Sequence, residues 1–346
     1  MAYTDIDKPS DYFNTKLYSG NGGTNAQTGV NFQPDFTWIK ARSNAENHNL
    51  FDSVRGVTKR IRSNGSEAED TRTTSLTAFG TDGFTLGSGS QVNTNGWTFA
   101  SWNWKAGTSF TNDASATGIG TIDSAGSFNN DSGFSIVSYT GTGSNGTIKH
   151  GLNTAPSMII FKNRSSVKGW SVYHKSIGAT KFLFLNETSA EQTYTPMFNN
   201  TEPTSSVFSV GTDLATNVSG NNYIAYCFAE KQGYSKFGSY TGNGNADGPY
   251  IHLGFKPAFV IFKDTATRSW YLMDNKRDPE NVVNIRLFPD AGDGDSTGLN
   301  VLDFLSNGIK IKTNDVSVNA SGNTYTFISF AENPFVTSTG VPATAR

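Results

Sequence analysis

Short runs of β-branched and aromatic residues recur along the chain and alternate with clusters of Gly, Asn, Ser and Pro. Such runs occupy residues 135–139, 158–161, 182–185, 207–210 and 223–228. Their hydrophobic period is two, as in a strand whose successive side chains point to opposite faces of a sheet. No stretch of ten or more residues has the period of an amphipathic helix. The pattern therefore predicts an all-β fold.

A unit of about 100 residues occurs twice in succession in the second half of the chain. In each copy a Tyr-Thr-Gly sequence precedes a proline that opens a hydrophobic strand, and a Ser-Gly-Asn sequence precedes the last strand. Several landmarks at one common offset are the signature of an internal repeat. The paired landmarks are Tyr139 and Tyr240, Pro156 and Pro257, and the Ser-Gly-Asn sequences at 219–221 and 321–323.

A more divergent copy precedes these two. It has a tyrosine at Tyr18, a strand-opening proline at Pro34 and an aromatic closing strand that ends at Trp104. Trp104 occupies the position that Phe228 and Phe330 occupy in the other copies. Because an aromatic residue recurs there, we interpret all three as core residues rather than as platforms that stack a sugar or a base.

The repeat predicts three tandem β-sandwich modules of jelly-roll-like type, each of about 100 residues. A stretch rich in small polar residues separates the first two copies and predicts a linker. The predicted boundaries are 1–105 for the first module, 106–133 for the linker, 134–232 for the second module, 233–335 for the third and 336–346 for a tail.

Three lysines occupy one position of the repeat. Lys40, Lys162 and Lys263 each end the strand that follows the proline. A residue that recurs in every copy is explained more simply by the fold than by chemistry at one site. We therefore interpret these lysines as strand-end charges on a solvated rim.

The composition excludes several classes of protein. The net charge is −2 and only 16% of residues are charged, so a surface that neutralises nucleic-acid phosphates is not expected. The single cysteine, Cys227, excludes an intramolecular disulfide framework and favours assembly in a reducing compartment. No secretory signal peptide and no apolar run of about 18 residues is found, so membrane insertion is not expected.

Candidate binding chemistry is sparse. Asp290, Asp293 and Asp295 lie within six residues and alternate with glycines, which makes them the best candidates for a Ca²⁺ site. The spacing lacks the last glutamate of the helical calcium loop, so a solvated turn is the favoured interpretation and no metal site is predicted. Trp97 has no aromatic counterpart in the other copies and is the candidate for a ligand-binding surface residue.

No motif for catalysis or cofactor binding appears. The four histidines lack metal-ligand spacing, and the sequence has no Gly-x-Ser-x-Gly elbow, phosphate-binding loop or dinucleotide fingerprint. We therefore predict no catalytic residue, no cofactor and no enzymatic activity.

Five segments, at 7–22, 49–56, 233–244, 276–284 and 302–308, resemble a family of tailed-phage virion proteins common in marine phages and cyanophages. The resemblance extends over essentially the whole chain. It implies a virion structural or tail-associated protein without catalytic residues, assembled in the host cytoplasm and located in the virion.

The expected function is that of a bacteriophage tail fibre or spike component that attaches to host-surface glycans. Other virion proteins are its expected partners, and a homo-oligomer, with a trimer as one expected order, is its expected state. A capsid-decorating or head-fibre structural protein is the first alternative, and a glycan-degrading tailspike enzyme is the second.

Overall fold

Antiparallel strands dominate the protein. In the computed structural model, which describes residues 2–344, strands account for 41% of the chain and helices for 6%. The predicted all-β class is therefore confirmed. Within residues 2–344 the helices are single turns, and none is long and apolar enough to cross a membrane.

The elements follow the three copies of the repeat. The first copy, preceded by a 3-10 turn at Pro9–Asp11, contains β1 Phe13–Ser19, β2 Asn25–Thr28, β3 Phe36–Ala41, β4 Asn49–Asp52, β5 Lys59–Arg60, β6 Asp70–Thr71, β7 Leu76–Gly80, β8 Gly83–Leu86, α1 Ser90–Asn93 and β9 Thr98–Trp104. The connection contains β10 Thr108–Asn112, α2 Ala114–Thr117 and β11 Ser124–Asn129. The second copy contains β12 Phe134–Thr140, β13 Gly146–Lys149, β14 Met158–Asn163, β15 Ser171–His174, β16 Lys181–Phe184, β17 Gln192–Thr193, α3 Thr195–Phe198, β18 Val207–Val210 and β19 Asn222–Phe228. The third contains β20 Ser235–Thr241, β21 Tyr250–His252, β22 Phe255–Asp264, β23 Tyr271–Asp274, β24 Leu302–Leu305, β25 Gly308–Ile311, α4 Val316–Asn319 and β26 Thr324–Pro334.

Each copy contains the same order of four antiparallel strands. These orders are β1-β9-β3-β4, β12-β19-β14-β15 and β20-β26-β22-β23. A smaller sheet accompanies each one, in the orders β2-β8-β7, β13-β18 and β21-β25-β24. In every copy one hydrophobic cluster combines residues of the larger and the smaller sheet.

The closing strand of each copy is buried on both faces. In β19, Tyr223 and Cys227 point into the cluster of the second copy, whereas Tyr226 and Phe228 point into a cluster shared by all three copies, here called the shared core. Successive strand side chains alternate between faces, so both faces of this strand need apolar residues. This explains why β19 is an almost uninterrupted hydrophobic run.

The three closing strands meet through their equivalent aromatic residues. The ring centroid of Trp104 lies 6.2 Å from that of Phe228 and 5.7 Å from that of Phe330, and the two phenylalanines are 6.0 Å apart. All three side chains are buried. Their interpretation as core residues is confirmed.

A ring of equivalent hydrogen bonds joins each copy to the next. The residue just before the fourth strand of each sheet bonds to a carbonyl oxygen in a neighbouring copy, and the three bonds close a cycle of all three copies. Closed cyclic contacts of this kind define an approximate threefold axis. The bonds are Trp170 Nε1 to Arg62 O at 2.7 Å, Trp270 Nε1 to Phe184 O at 2.9 Å, and His48 Nε2 to Phe288 O at 2.9 Å.

The stretch 106–133, predicted to be a linker, contains two strands and a helical turn. β11 pairs with β12 over six residues, and β10 pairs with β11. The Asp113 carboxylate accepts hydrogen bonds from the amides of Ser115 and Ala116 and so caps α2. The composition of small polar residues does not reveal this pairing, because the free backbone groups of the β12 edge recruit the added strands.

The interpretation of the recurring lysines as solvated charges was wrong. Lys40, Lys162 and Lys263 are fully buried, and their ammonium groups donate to backbone carbonyl oxygens. Burial lowers the pKa of each to about 8. For Lys162 one acceptor, Ser66 O at 2.9 Å, belongs to the first copy. The sequence does not show that a neighbouring copy covers this strand end.

Candidate functional site

A polar cleft of about 510 Å³ lies where the N-terminal segment crosses the connections between repeats. It is lined by residues 2–6, Tyr12, the turn 130–131, Asn153 and residues 231–232. We call this the N-terminal cleft. Three of its walls, Tyr12, residues 130–131 and residues 231–232, lie just before the first strand of a copy, so the cleft lies where the three copies begin.

The N-terminal segment is held in place by long-range contacts. The Tyr3 hydroxyl donates to Gly254 O at 2.7 Å, and the Thr4 hydroxyl donates to Gln232 O at 2.9 Å. Ile6 is buried in the shared core. The segment therefore forms a fixed wall, and an incoming ligand does not have to order it.

Tyr12 forms the aromatic part of the cleft. Its ring packs edge-on against buried Tyr234 at 6.1 Å, and the Lys105 ammonium lies 5.7 Å from its centroid. Its hydroxyl faces Asp131 Oδ2 at 3.5 Å. Burial and then the negative charge of Asp131 raise the pKa of Tyr12. The ring is half-buried, which leaves part of it facing the cleft.

A hydrogen-bonded turn adjoins Tyr12 in the cleft wall. Asn129 Oδ1 accepts from the amides of Asp131 and Ser132 at 2.9 and 3.1 Å, and Asn130 Oδ1 accepts from the amide of Asn153 at 2.9 Å. These bonds fix the positions of the Asn130 amide and of the Asp131 carboxylate.

Several polar groups in the cleft have no internal partner. Within residues 2–344, the side chains of Asp5, Lys231 and Gln232 make no hydrogen bond or ion pair, and the Asn130 side-chain NH₂ makes none either. They place hydrogen-bond donors and acceptors, together with one negative and one positive charge, around one concave surface. Such a set suits a ligand with many hydroxyl groups and no strong net charge.

A second cleft, of about 440 Å³, adjoins the first. Tyr3 and Gln232 line both, and Glu230, Lys236 and His252 complete the second. Glu230 is already paired with Lys175 at 2.6 Å and Lys236 at 3.5 Å, and both ammonium groups hold the pKa of Glu230 below its ordinary value despite the opposing effect of burial. Fewer free polar groups therefore face this cleft.

Comparisons with known proteins identify one family. A domain of unknown function, DUF7483, matches residues 8–334. The chain belongs to the DUF7483 family. No curated protein and no solved structure matches the sequence. The DUF7483 match spans all three copies of the repeat, as expected if the closed ring rather than one copy is the unit that folds.

In the DUF7483 chain, two of the three candidate calcium aspartates make other contacts. Asp290 accepts from the Trp270 amide at 3.0 Å, and burial raises its pKa. Asp295 lies between Arg42 at 2.8 Å and Arg277 at 3.0 Å. Asp293 is exposed. Across residues 2–344 no group of three or more His, Cys, Asp or Glu residues has the arrangement needed to hold a metal ion.

Trp97 and Cys227 lie in or against the core. Trp97 is half-buried and packs against the hydrophobic cluster of the first copy. Cys227 is fully buried, and burial raises the pKa of its thiol well above the ordinary value. A protonated, inaccessible thiol is a poor nucleophile.

Three of the four histidines serve the fold. In His150 and His174, Nδ1 accepts a backbone amide while Nε2 lies within 3.2 Å of a carbonyl oxygen, which requires a neutral ring protonated at Nε2. His48 Nδ1 accepts from Trp38 Nε1 at 2.7 Å in the same way. Burial lowers the pKa of all three rings.

The cleft residues escaped sequence reasoning because they are scattered along the chain and form no motif. The signal that could have found them is the repeat itself. Tyr12, Asp131 and Lys231 each lie a few residues before the first strand of a copy, so aligning the three copies brings these residues to one place.

Proposed function

We propose that this chain is a non-enzymatic structural protein of a tailed-phage virion, a tail fibre or spike component that attaches to saccharides on the host surface. The N-terminal cleft carries the proposal, because it combines a half-exposed tyrosine with polar groups that lack internal partners. Tyrosine rings pack on the apolar faces of sugars, and amide, carboxylate and ammonium groups bond their hydroxyls. The resemblance to tailed-phage virion proteins supports the virion location.

The architecture that we propose is three tandem β-sandwich modules of jelly-roll-like type. In its support, each copy pairs a larger with a smaller sheet around its own hydrophobic cluster. A protein of this kind needs no disulfide, which suits assembly in the host cytoplasm.

A glycan array probed with the full-length chain tests the attachment function. We expect selective binding to a small set of saccharides. The Lys231→Ala/Gln232→Ala variant removes two unpartnered cleft groups and should weaken binding at least tenfold. The matched control, Lys149→Ala/Gln192→Ala, removes the same residue types outside the cleft and should bind unchanged. Absence of selective binding, or equal weakening in both variants, would contradict the proposal.

Two further measurements separate the alternatives. Immunogold labelling of virions should place the protein on the tail; label on the capsid alone favours a capsid-decorating or head-fibre protein. Host polysaccharide incubated with the chain should keep its length on sizing chromatography, whereas shortened chains would indicate a glycan-degrading tailspike enzyme.

A further inference from the structure

Loops from the three copies leave their sheets at equivalent places. In the first copy, the loops that follow β1 and β3 both leave the sheet where β9 begins, because Ser19 pairs with Thr98 and Ala41 with Phe99. The other copies have the same registers. The resulting set of loops, here called the loop face, consists of residues 21–24, 43–45, 142–145, 165–167, 243–246 and 266–267.

The loops after β3, β14 and β22 are attached to a neighbouring copy in the same way. The carbonyl oxygen of the first residue in each loop accepts a hydrogen bond from a backbone amide of the adjacent copy. Because all three loops are bonded to the adjacent copy in the same way, they lie at the same level along the approximate threefold axis. The bonds are Asp295 N to Arg42 O at 2.7 Å, Glu69 N to Arg164 O at 3.0 Å and Glu191 N to Thr265 O at 2.8 Å.

The loops after β1, β12 and β20 are held by three equivalent buried asparagines. In the second copy, Asn217 Oδ1 accepts from the Thr142 amide at 2.8 Å, and its Nδ2 donates to Ser144 O at 2.6 Å and Gly211 O at 2.7 Å. Asn93 and Asn319 bond the corresponding atoms of their own copies. Each loop is thus fixed before any partner arrives, which lowers the entropy cost of binding.

The residues of the loop face are uncharged and their side chains are short, but the same loops continue into charged residues, of which Asp247 is 85% exposed and lies 2.6 Å from Lys310. The neighbouring Arg42 and Arg164 side chains point toward the adjacent copies of the repeat. There Arg42 pairs with Asp295 at 2.8 Å and Arg164 with Glu69 at 2.9 Å. Val167 is 64% exposed at the tip of one loop. A rigid surface that repeats three times around one axis allows a partner with the same symmetry to form all three contacts together.

We propose that the loop face docks on the threefold axis of a homotrimeric virion protein, with one chain per trimer. This rests on the proposed virion location and assigns the anchoring surface. The chain supplies in one polypeptide the threefold arrangement that three separate subunits would otherwise supply, so it does not itself need to trimerise. Its N-terminal cleft is formed by other segments and stays available to a ligand.

Cryo-electron microscopy of virions that carry the protein, reconstructed without imposed symmetry, tests the proposal. We expect one chain centred on a threefold axis with the loop face toward the trimer, and quantitative mass spectrometry should give one chain per three trimer subunits. The purified chain should be monomeric in light scattering, at 37.3 kDa.

Charge substitutions identify the surface. The Asn44→Lys/Val167→Lys/Thr267→Lys variant changes one exposed residue in each copy and should lower incorporation into virions at least tenfold. The Thr108→Lys/Gln192→Lys/Val341→Lys variant adds the same charge at exposed positions outside the loop face and should be incorporated normally.

The possible failures are distinguishable. A chain bound to virions away from a threefold axis, or present as three copies around one, overturns the docking and leaves the virion function intact. A chain absent from virions overturns both. Self-trimers of the purified chain, or equal incorporation of the two lysine variants, overturn the docking alone.

Discussion

Trp170 donates its indole N–H to the carbonyl oxygen of Arg62 at 2.7 Å across 108 residues of sequence. The bond joins the second copy of the repeat to the first, and equivalent bonds close the ring of copies. Because of such long-range contacts, we expect the three copies to unfold as one cooperative unit rather than as independent domains.

Replacing Trp170 with phenylalanine should lower the free energy of unfolding by about 2–4 kcal/mol, because it leaves a cavity and removes the donor to a half-buried carbonyl. Urea denaturation followed by fluorescence measures the change. Trp97→Phe is the control, since Trp97 is half-buried and joins no two copies, and it should cost less than about 1 kcal/mol. Equal losses would mean that the inter-copy bond adds nothing.

Neutralising Asp274, which forms a buried ion pair with Arg277, should strongly lower the free energy of unfolding. Their side chains are fully buried 2.6 Å apart, and Asp274 also accepts from Trp102 Nε1 at 3.1 Å in the first copy. Asp274→Asn leaves a buried arginine short of its main counter-charge and should cost about 3–5 kcal/mol in urea denaturation. Asp11→Asn, in the exposed pair with Lys8, should cost less than about 1 kcal/mol.

The buried asparagines that hold the loops, Asn93, Asn217 and Asn319, should contribute equally to the free energy of unfolding. Asn93→Ala, Asn217→Ala and Asn319→Ala each leave buried backbone groups without a partner and should each lower the unfolding free energy by about 1–3 kcal/mol. Asn95→Ala, at an exposed position without a side-chain hydrogen bond, should be neutral in the same assay. A loss confined to one copy would contradict a shared structural role.

Stability should fall as the pH drops from about 6.5 toward 4. Burial lowers the pKa of His150 and His174 to about 4 in the folded chain, whereas an unfolded histidine titrates near 6.5. In that window the unfolded chain binds more protons, so protonation favours unfolding, and the contribution is fully present only above about pH 6.5. Urea midpoints measured from pH 7.5 to 4.5 should show the decline.

The decline should be smaller in His174→Gln, which removes one of the three buried histidine rings with a lowered pKa. His252→Gln should leave it unchanged, because His252 is exposed. A pH slope that His174→Gln does not reduce would assign the decline to other groups.

Calcium should not raise the melting temperature of the chain. Asp290 and Asp295 are engaged by an amide and by two arginines, and a bound cation would have to displace them. Differential scanning calorimetry with and without millimolar calcium tests this. A calcium-dependent rise that Asp293→Ala abolishes would reveal a site at this turn.

The sequence by itself determined the class of fold and its repetition. A period of two predicts strands because successive side chains face opposite sides, and the continuous hydrophobic run of β19 is what a strand buried on both faces requires. The recurrence of Trp104 as Phe228 and Phe330 was enough to place all three in the core. These are local properties of the chain, readable from the order of residue types.

Only the tertiary structure decided how the copies meet. Burial of Lys162, strand pairing by residues 106–133 and convergence of Tyr12 with Asp131 and Lys231 at one cleft all depend on which segment covers another. The contacts of Lys162 and of the cleft join residues about 100 or more positions apart, and no local pattern encodes them. The repeat predicts three similar units; the ring that unites them follows from contacts that form only when all three are folded together.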